Sequence, residues 1–246
     1  MGRPKAWLRV GTELMLPRVV RLVREAVGSA VVVAAPDQDV PPLPTDVRIV
    51  RDAVAGEGPL AGLAAGLAAL AGRADVMYLS ACDVPLLEPA FVRRVVSLLE
   101  GQVPPLRPTP PAPRRSGRGE KEFWSRANSE VSGEDSHAVT PIPEGMGAGG
   151  VGSSWTDAAP LAAVPRVGDR LHPLAAAYRI EVLPVVRALL AADRLRLTGL
   201  CDAVPTRFIE AADLADIDPA FRSLRNVNAP DEYAAALREL DGLGPS

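Results

Sequence analysis

Cysteine and histidine are scarce in this chain, and their scarcity narrows what it can be. Of 246 residues only two are cysteine and two histidine. Cys82 and Cys201 show neither metal-ligand spacing nor a disulfide pattern, so neither a zinc module nor an oxidised secreted scaffold is predicted. Aromatic residues make up only 4%. No surplus of basic residues exists, because 27 Lys and Arg face 30 Asp and Glu for a net charge of −3. That balance excludes the basic footprint of a nucleic-acid-binding domain. Long hydrophobic runs are also missing. Leu60 to Ala71 is the longest apolar stretch, and it falls short of the roughly 20 residues that span a bilayer. The expectation is a soluble protein of the reducing cytoplasm, with no membrane and no nucleic-acid partner.

What is present is a repeating alternation. Hydrophobic residues reach 48%, in short β-branched runs separated by Ala-, Leu- and Arg-rich stretches of helical period. Pro17 opens a helix with Val20, Val23 and Val27 on one face and Arg18, Arg21 and Arg24 on another. Strands are predicted at 30–34, 47–50 and 76–80, and helices at 59–71 and 88–100. After Gly101 the pattern stops. Residues 102–156 are dense in Pro, Gly, Ser and charge, a composition that buries too little surface to offset chain entropy. A disordered insertion is predicted there. Periodicity returns with 161–164 and 174–178, joined across Gly168-Asp169 as a hairpin, followed by helices at 180–192 and 197–203. A strand at 206–209 and a helix at 230–240 complete the chain. The reading is an α/β fold, Rossmann-like, with a mainly parallel sheet and helices on both faces. One domain spans 1–246, interrupted by the insertion.

Several short segments could carry chemistry. Asp83 follows the strongly apolar strand 76–80, in Cys82-Asp83-Val84-Pro85. A carboxylate at the carboxyl end of a strand points into the crevice where open α/β sheets bind ligands. It is a hard oxygen ligand of the kind Mg²⁺ takes together with substrate phosphates. Asp52 occupies a similar place after the preceding strand. Gly58, in Gly58-Pro59-Leu60-Ala61-Gly62, suits a helix start and would also let a nucleoside lie against the backbone. Lys5, in Gly2-Arg3-Pro4-Lys5, offers a cation near the amino end. His172-Pro173-Leu174 and Asn226-Val227-Asn228-Ala229-Pro230 are polar clusters, the asparagines being also good turn and cap residues.

Taken in order, Met-Gly-x-x-Lys, Asp then Gly-Pro-Leu-Ala-Gly, Cys-Asp-x-Pro, His-Pro-Leu and Asn-Val-Asn-x-Pro-Asp resemble the molybdenum cofactor guanylyltransferases. The likeness covers the chain except the insertion. It implies transfer of GMP from GTP to the terminal phosphate of molybdopterin bearing molybdenum, with release of pyrophosphate and Mg²⁺ as cofactor. Lys5 would bind the phosphates, Asp52 and Gly58 the guanosine, and Asp83 the Mg²⁺ and nucleotide together. His172, Asn226 and Asn228 would lie toward the molybdopterin. Molybdoenzyme-maturation proteins are the class of protein partner it suggests. The same resemblance implies that Met1 is an internal methionine, with a glycine loop and a central strand upstream. Alternatives are a molybdopterin cytidylyltransferase, a sugar-phosphate nucleotidyltransferase, or a non-catalytic nucleotide-binding remnant.

Overall fold

Successive side chains of the inner strands pack into two apolar clusters in turn, and that alternation decides the layering. The computed structural model describes residues 4–51, 58–101 and 158–242, all within one unit formed by Met1–Pro104 and Asp157–Ser246. The insertion at 102–156, and Asp52 with it, lie outside the described residues. In chain order the strands are β1 (Arg9–Val10), β2 (Glu13–Leu14), β3 (Val31–Ala34), β4 (Arg48–Arg51), β5 (Val76–Ser80), β6 (Ala162–Val167), β7 (Arg170–Leu171), β8 (Ala175–Arg179) and β9 (Thr206–Glu210). The helices are α1 (Met15–Val27), α2 (Gly58–Leu70), α3 (Pro89–Glu100), α4 (Leu183–Ala191), α5 (Thr198–Ala203) and α6 (Pro230–Leu240). None is long and apolar enough to cross a membrane.

On β8, Ala175 and Ala177 pack into one apolar cluster while Ala176 and Tyr178 pack into the other. β6 divides in the same way, Ala163 to the first cluster and Ala162 with Val164 to the second. The first cluster is covered by α1 and α3 through Val19, Leu22, Phe91, Val92, Val95 and Leu99. The second is covered by α2, α4 and α5 through Leu60, Leu63, Leu67, Val186, Leu189 and Leu200. Both faces of the sheet are therefore clad in helices, as the near-continuous apolarity of the strands predicts. Small alanines on β6 and β8 let the large side chains of the helices supply the volume.

The α/β class is the expected one, but pairing among the described strands is mixed. β3 pairs β4 in parallel, and β6 pairs β9 in parallel. β8 runs antiparallel between β5 and β6, and β7 folds back on β6. A hairpin return from β6 places β8 in the middle of the second sheet, which breaks the run of parallel neighbours.

β3 and β4 form a two-stranded sheet apart from the larger one, where β5 is an edge. Between β3 and β5 lies a cleft of about 990 Å³, lined by every residue of both strands and backed by Gly58, Gly62 and Gly66 of α2. A point one bond from the Gly66 backbone lies 3.5 Å from Met77 and 3.7 Å from Val33, so α2 spans both strands. Tyr78 on β5 is buried beside this cleft, and its hydroxyl has no hydrogen-bond partner among the described residues. An unsatisfied buried hydroxyl contributes nothing that a ring alone would not. Tyr78→Phe is therefore expected to leave the melting temperature unchanged or to raise it slightly. A clear drop in a thermal melt would contradict this account.

Candidate active site

Lys5 owes its place to a short turn and a hairpin. Trp7 N–H donates to Pro4 O at 3.0 Å and Leu8 N–H to Lys5 O at 3.1 Å, closing one tight turn over Lys5–Trp7. The chain then reverses through β1 and β2 at Gly11, whose φ of 61° is left-handed and strained for other residues. The Tyr233 hydroxyl of α6 donates to Arg9 O, tying this hairpin to the last helix.

Asp83 lies three residues beyond β5 and is 7% exposed. Its carboxylate is held at both oxygens. Lys5 Nζ donates to Oδ2 at 2.7 Å, and Asn226 Nδ2 donates to Oδ1 at 2.8 Å. Val227 N–H donates to the Asp83 main-chain oxygen at 2.9 Å. Lys5 Nζ also donates to Asn228 Oδ1 at 2.6 Å. Four residues from three distant segments thus form one hydrogen-bonded chain, Asn226–Asp83–Lys5–Asn228. A buried carboxylate needs such partners, because leaving charge unpaired in a desolvated place is costly.

The segment that carries both asparagines is itself fixed from below. Asp218, 1% exposed, accepts from Arg222 N–H and Ser223 N–H, each at 2.8 Å. Ser223 Oγ in turn accepts from Glu88 N–H at the start of α3. Glu232 accepts from Asn228 N–H at 2.7 Å and Ala229 N–H at 3.0 Å. Those two backbone bonds, with help from Lys5, hold its carboxyl below the usual range.

Residues next to the Lys5–Asp83 pair line two cavities, although neither Lys5 nor Asp83 lines one itself. Their chain neighbours Ala6 and Cys82 line the cleft between β3 and β5, where Gly58 also lies, at the start of α2 with a left-handed φ of 77°. Their side-chain partners Asn226 and Asn228 line a second cavity of about 410 Å³, together with Arg170, His172, Arg225 and Glu232. Of the residues singled out from sequence, Lys5, Asp83, Asn226 and Asn228 are brought into direct contact. His172 joins them through the second cavity, Gly58 sits on the other side, and Asp52 is not described. Sequence reasoning passed over Arg170 and Arg225, which bring guanidinium groups to the second cavity, Arg225 being paired with Glu239 at 2.6 Å. Arginines two and one residues from the His and Asn motifs carry no pattern of their own.

The sequence profile of the MobA-like NTP transferase domain matches residues 1–139. The chain belongs to that family. MobA-like proteins of this kind are nucleotidyltransferases, and so is this one. One relative from Pelotomaculum thermopropionicum, named "Probable molybdenum cofactor guanylyltransferase", is 24% identical over 239 residues, 96% of this chain and 85% of that protein. Another of the same name, from Mycobacterium marinum, is 27% identical over 241 residues, 97% of this chain and 87% of that one. Among solved structures, molybdopterin-guanine dinucleotide biosynthesis protein A from Archaeoglobus fulgidus aligns with a TM-score of 0.59 at 15% identity, covering 98% of this chain and 92% of that one. At that identity the likeness concerns the fold.

Neither cysteine among the described residues is an activated nucleophile. Burial pushes the Cys82 thiol up, and the adjoining Asp83 carboxylate adds to it. Burial pushes Cys201 up to about 11, and a raised thiol pKa disfavours the reactive thiolate at both positions. His172 is half-buried, and desolvation followed by Arg170 lowers its pKa below 6.5. A histidine held neutral in the fold is indifferent to pH above that value. Below it, protonation favours the unfolded chain, so stability falls as pH drops through and under 6.5. His172→Gln is expected to flatten the acid side of a plot of melting temperature against pH. An unchanged acid slope would show that His172 does not carry it.

Proposed function

We propose that this protein transfers GMP from GTP to the terminal phosphate of molybdopterin bearing molybdenum, releasing pyrophosphate. The observation that carries the reading is the hydrogen-bonded chain Asn226–Asp83–Lys5–Asn228, whose neighbouring residues line two cavities that would take one reactant each. The names of the full-length relatives support the choice of substrates.

In this reading the nucleotide occupies the side of Gly58 and Cys82, and the acceptor the side of His172, Asn226, Asn228, Arg170 and Arg225. An oxygen of the acceptor phosphate forms a bond to the α-phosphorus of GTP. The bond from that phosphorus to the bridging oxygen of the β-phosphate breaks, and its electrons leave with pyrophosphate. The attacking oxygen is already anionic, so no general base is required. Lys5 offsets charge on the phosphates, and the chain's remaining task is alignment of two bound groups. Asp52 would contact the guanosine.

Mg²⁺ fits the donor set to the extent that Asp83 offers a fixed hard carboxylate, the kind of ligand this ion combines with substrate phosphates. Among the described residues no cluster of three acidic, His or Cys side chains exists to cage it alone. When bound it would neutralise phosphate charge during transfer. Asp83 would hold it, and Lys5 would then exchange Oδ2 for a phosphate oxygen.

Pyrophosphate release in the presence of Mg²⁺ and molybdopterin tests the reading, with GTP and CTP supplied separately. Turnover with GTP at least tenfold above CTP is expected. Faster turnover with CTP would reassign the protein as a cytidylyltransferase, and none with either would defeat the proposal.

A further inference from the structure

Asn226 has an amide whose orientation is settled by chemistry. An ionised carboxylate can only accept, so the amide nitrogen must face Asp83 Oδ1, as it does at 2.8 Å. The amide oxygen is then turned away from Asp83, and among the described hydrogen bonds it has no partner. Asn228 plays the opposite part, its oxygen accepting from Lys5 Nζ at 2.6 Å. The two asparagines, separated by Val227 alone, therefore serve the two members of the ion pair separately.

We propose that Asn226 is a positioning residue for Asp83, setting the rotation of its carboxylate for a divalent cation, while Asn228 positions Lys5 for the triphosphate. This rests on the proposed nucleotidyl transfer and deepens it, since it divides the asparagine pair between metal and phosphate instead of giving both to the acceptor alone. The geometry favours it over a purely structural role. Val227 N–H already secures the loop to Asp83 through the main chain at 2.9 Å. Asp218 and Ser223 secure the loop from the other end. The Asn226 side chain is not needed to hold the segment in place, yet it takes the one Asp83 oxygen that Lys5 leaves.

The division predicts different losses. In Asn226→Leu, similar in size but unable to donate, the Mg²⁺ concentration giving half-maximal binding of a non-hydrolysable GTP analogue is expected to rise about tenfold. That tenfold shift is on the scale of one charge-assisted hydrogen bond, and at saturating Mg²⁺ the analogue's affinity should stay within about twofold of the unaltered chain. Asn228→Ala is expected to weaken the analogue at every Mg²⁺ concentration, with the Mg²⁺ midpoint unmoved. Equal effects from the two variants, or an unmoved midpoint in Asn226→Leu, would overturn the division. If the unaltered chain binds no GTP analogue, the proposed function falls, and the inference is then judged on stability. Asn226→Leu, Asp83→Asn and the double variant should show non-additive losses of melting temperature, whereas additive losses would overturn it.

Discussion

Asp83→Asn is expected to lower turnover with GTP by roughly 10³-fold, the scale lost when one preorganised electrostatic group is removed from a transfer site. The substitution keeps the size of the side chain and removes only its charge. Lys5 Nζ, 2.7 Å from Oδ2, would lose its anionic partner, and Asn226 Nδ2 would meet an amide in place of a carboxylate. Because Lys5 is 35% exposed at its side chain, water and Asn228 can still satisfy it, so the fold should survive. The measurement is steady-state pyrophosphate release beside a thermal melt. Turnover within tenfold of the unaltered chain would remove Asp83 from the reaction, and a melt lost altogether would show that its role is structural.

Phe91→Ala is expected to cost about 3–5 kcal/mol of folding free energy, the range for emptying a fully buried aromatic site. Phe91 is 0% exposed and sits in the first apolar cluster, where α1, α3 and the sheet meet. A loss of that size is a large share of the roughly 5–15 kcal/mol that keeps a domain folded. Urea unfolding followed by circular dichroism should show the midpoint shifted far to lower denaturant. A shift worth under about 1 kcal/mol would mean that the cluster collapses around the gap, contrary to close packing. Activity per folded molecule should change little, since α3 contributes no side chain to the chain of four site residues.

Much of this was readable from residues alone, and what was not has a physical cause. Strand 76–80 and helix 89–100 stand where periodicity puts them, because continuous apolarity and a Pro-led start are local signals. Asp83 and Lys5 stood out as candidates in the sequence, one by its place after a strand and the other by the Met-Gly-x-x-Lys pattern. Their direct contact was not, since 78 residues separate them and no local rule measures that distance. The hairpin of β1 and β2 went unseen because strands of two residues hold no period. The antiparallel place of β8 beside β5 depends on long-range pairing that hairpin signals at 168–169 do not specify. Asp218, which is buried, and Arg170 and Arg225, which line the second cavity from exposed positions, lie in stretches whose polarity reads as loop, and only the folded chain gives them their roles.

The gap between β3 and β5 has a practical side. Two rows of backbone amides and carbonyls face it without ladder partners among the described residues, and such rows are adhesive toward any extended peptide. Crowded copies could satisfy them by lending each other a strand, with Val33 and Met77 meeting equally apolar neighbours. Any extended segment that pairs there would meet Val33 on one side and Met77 on the other.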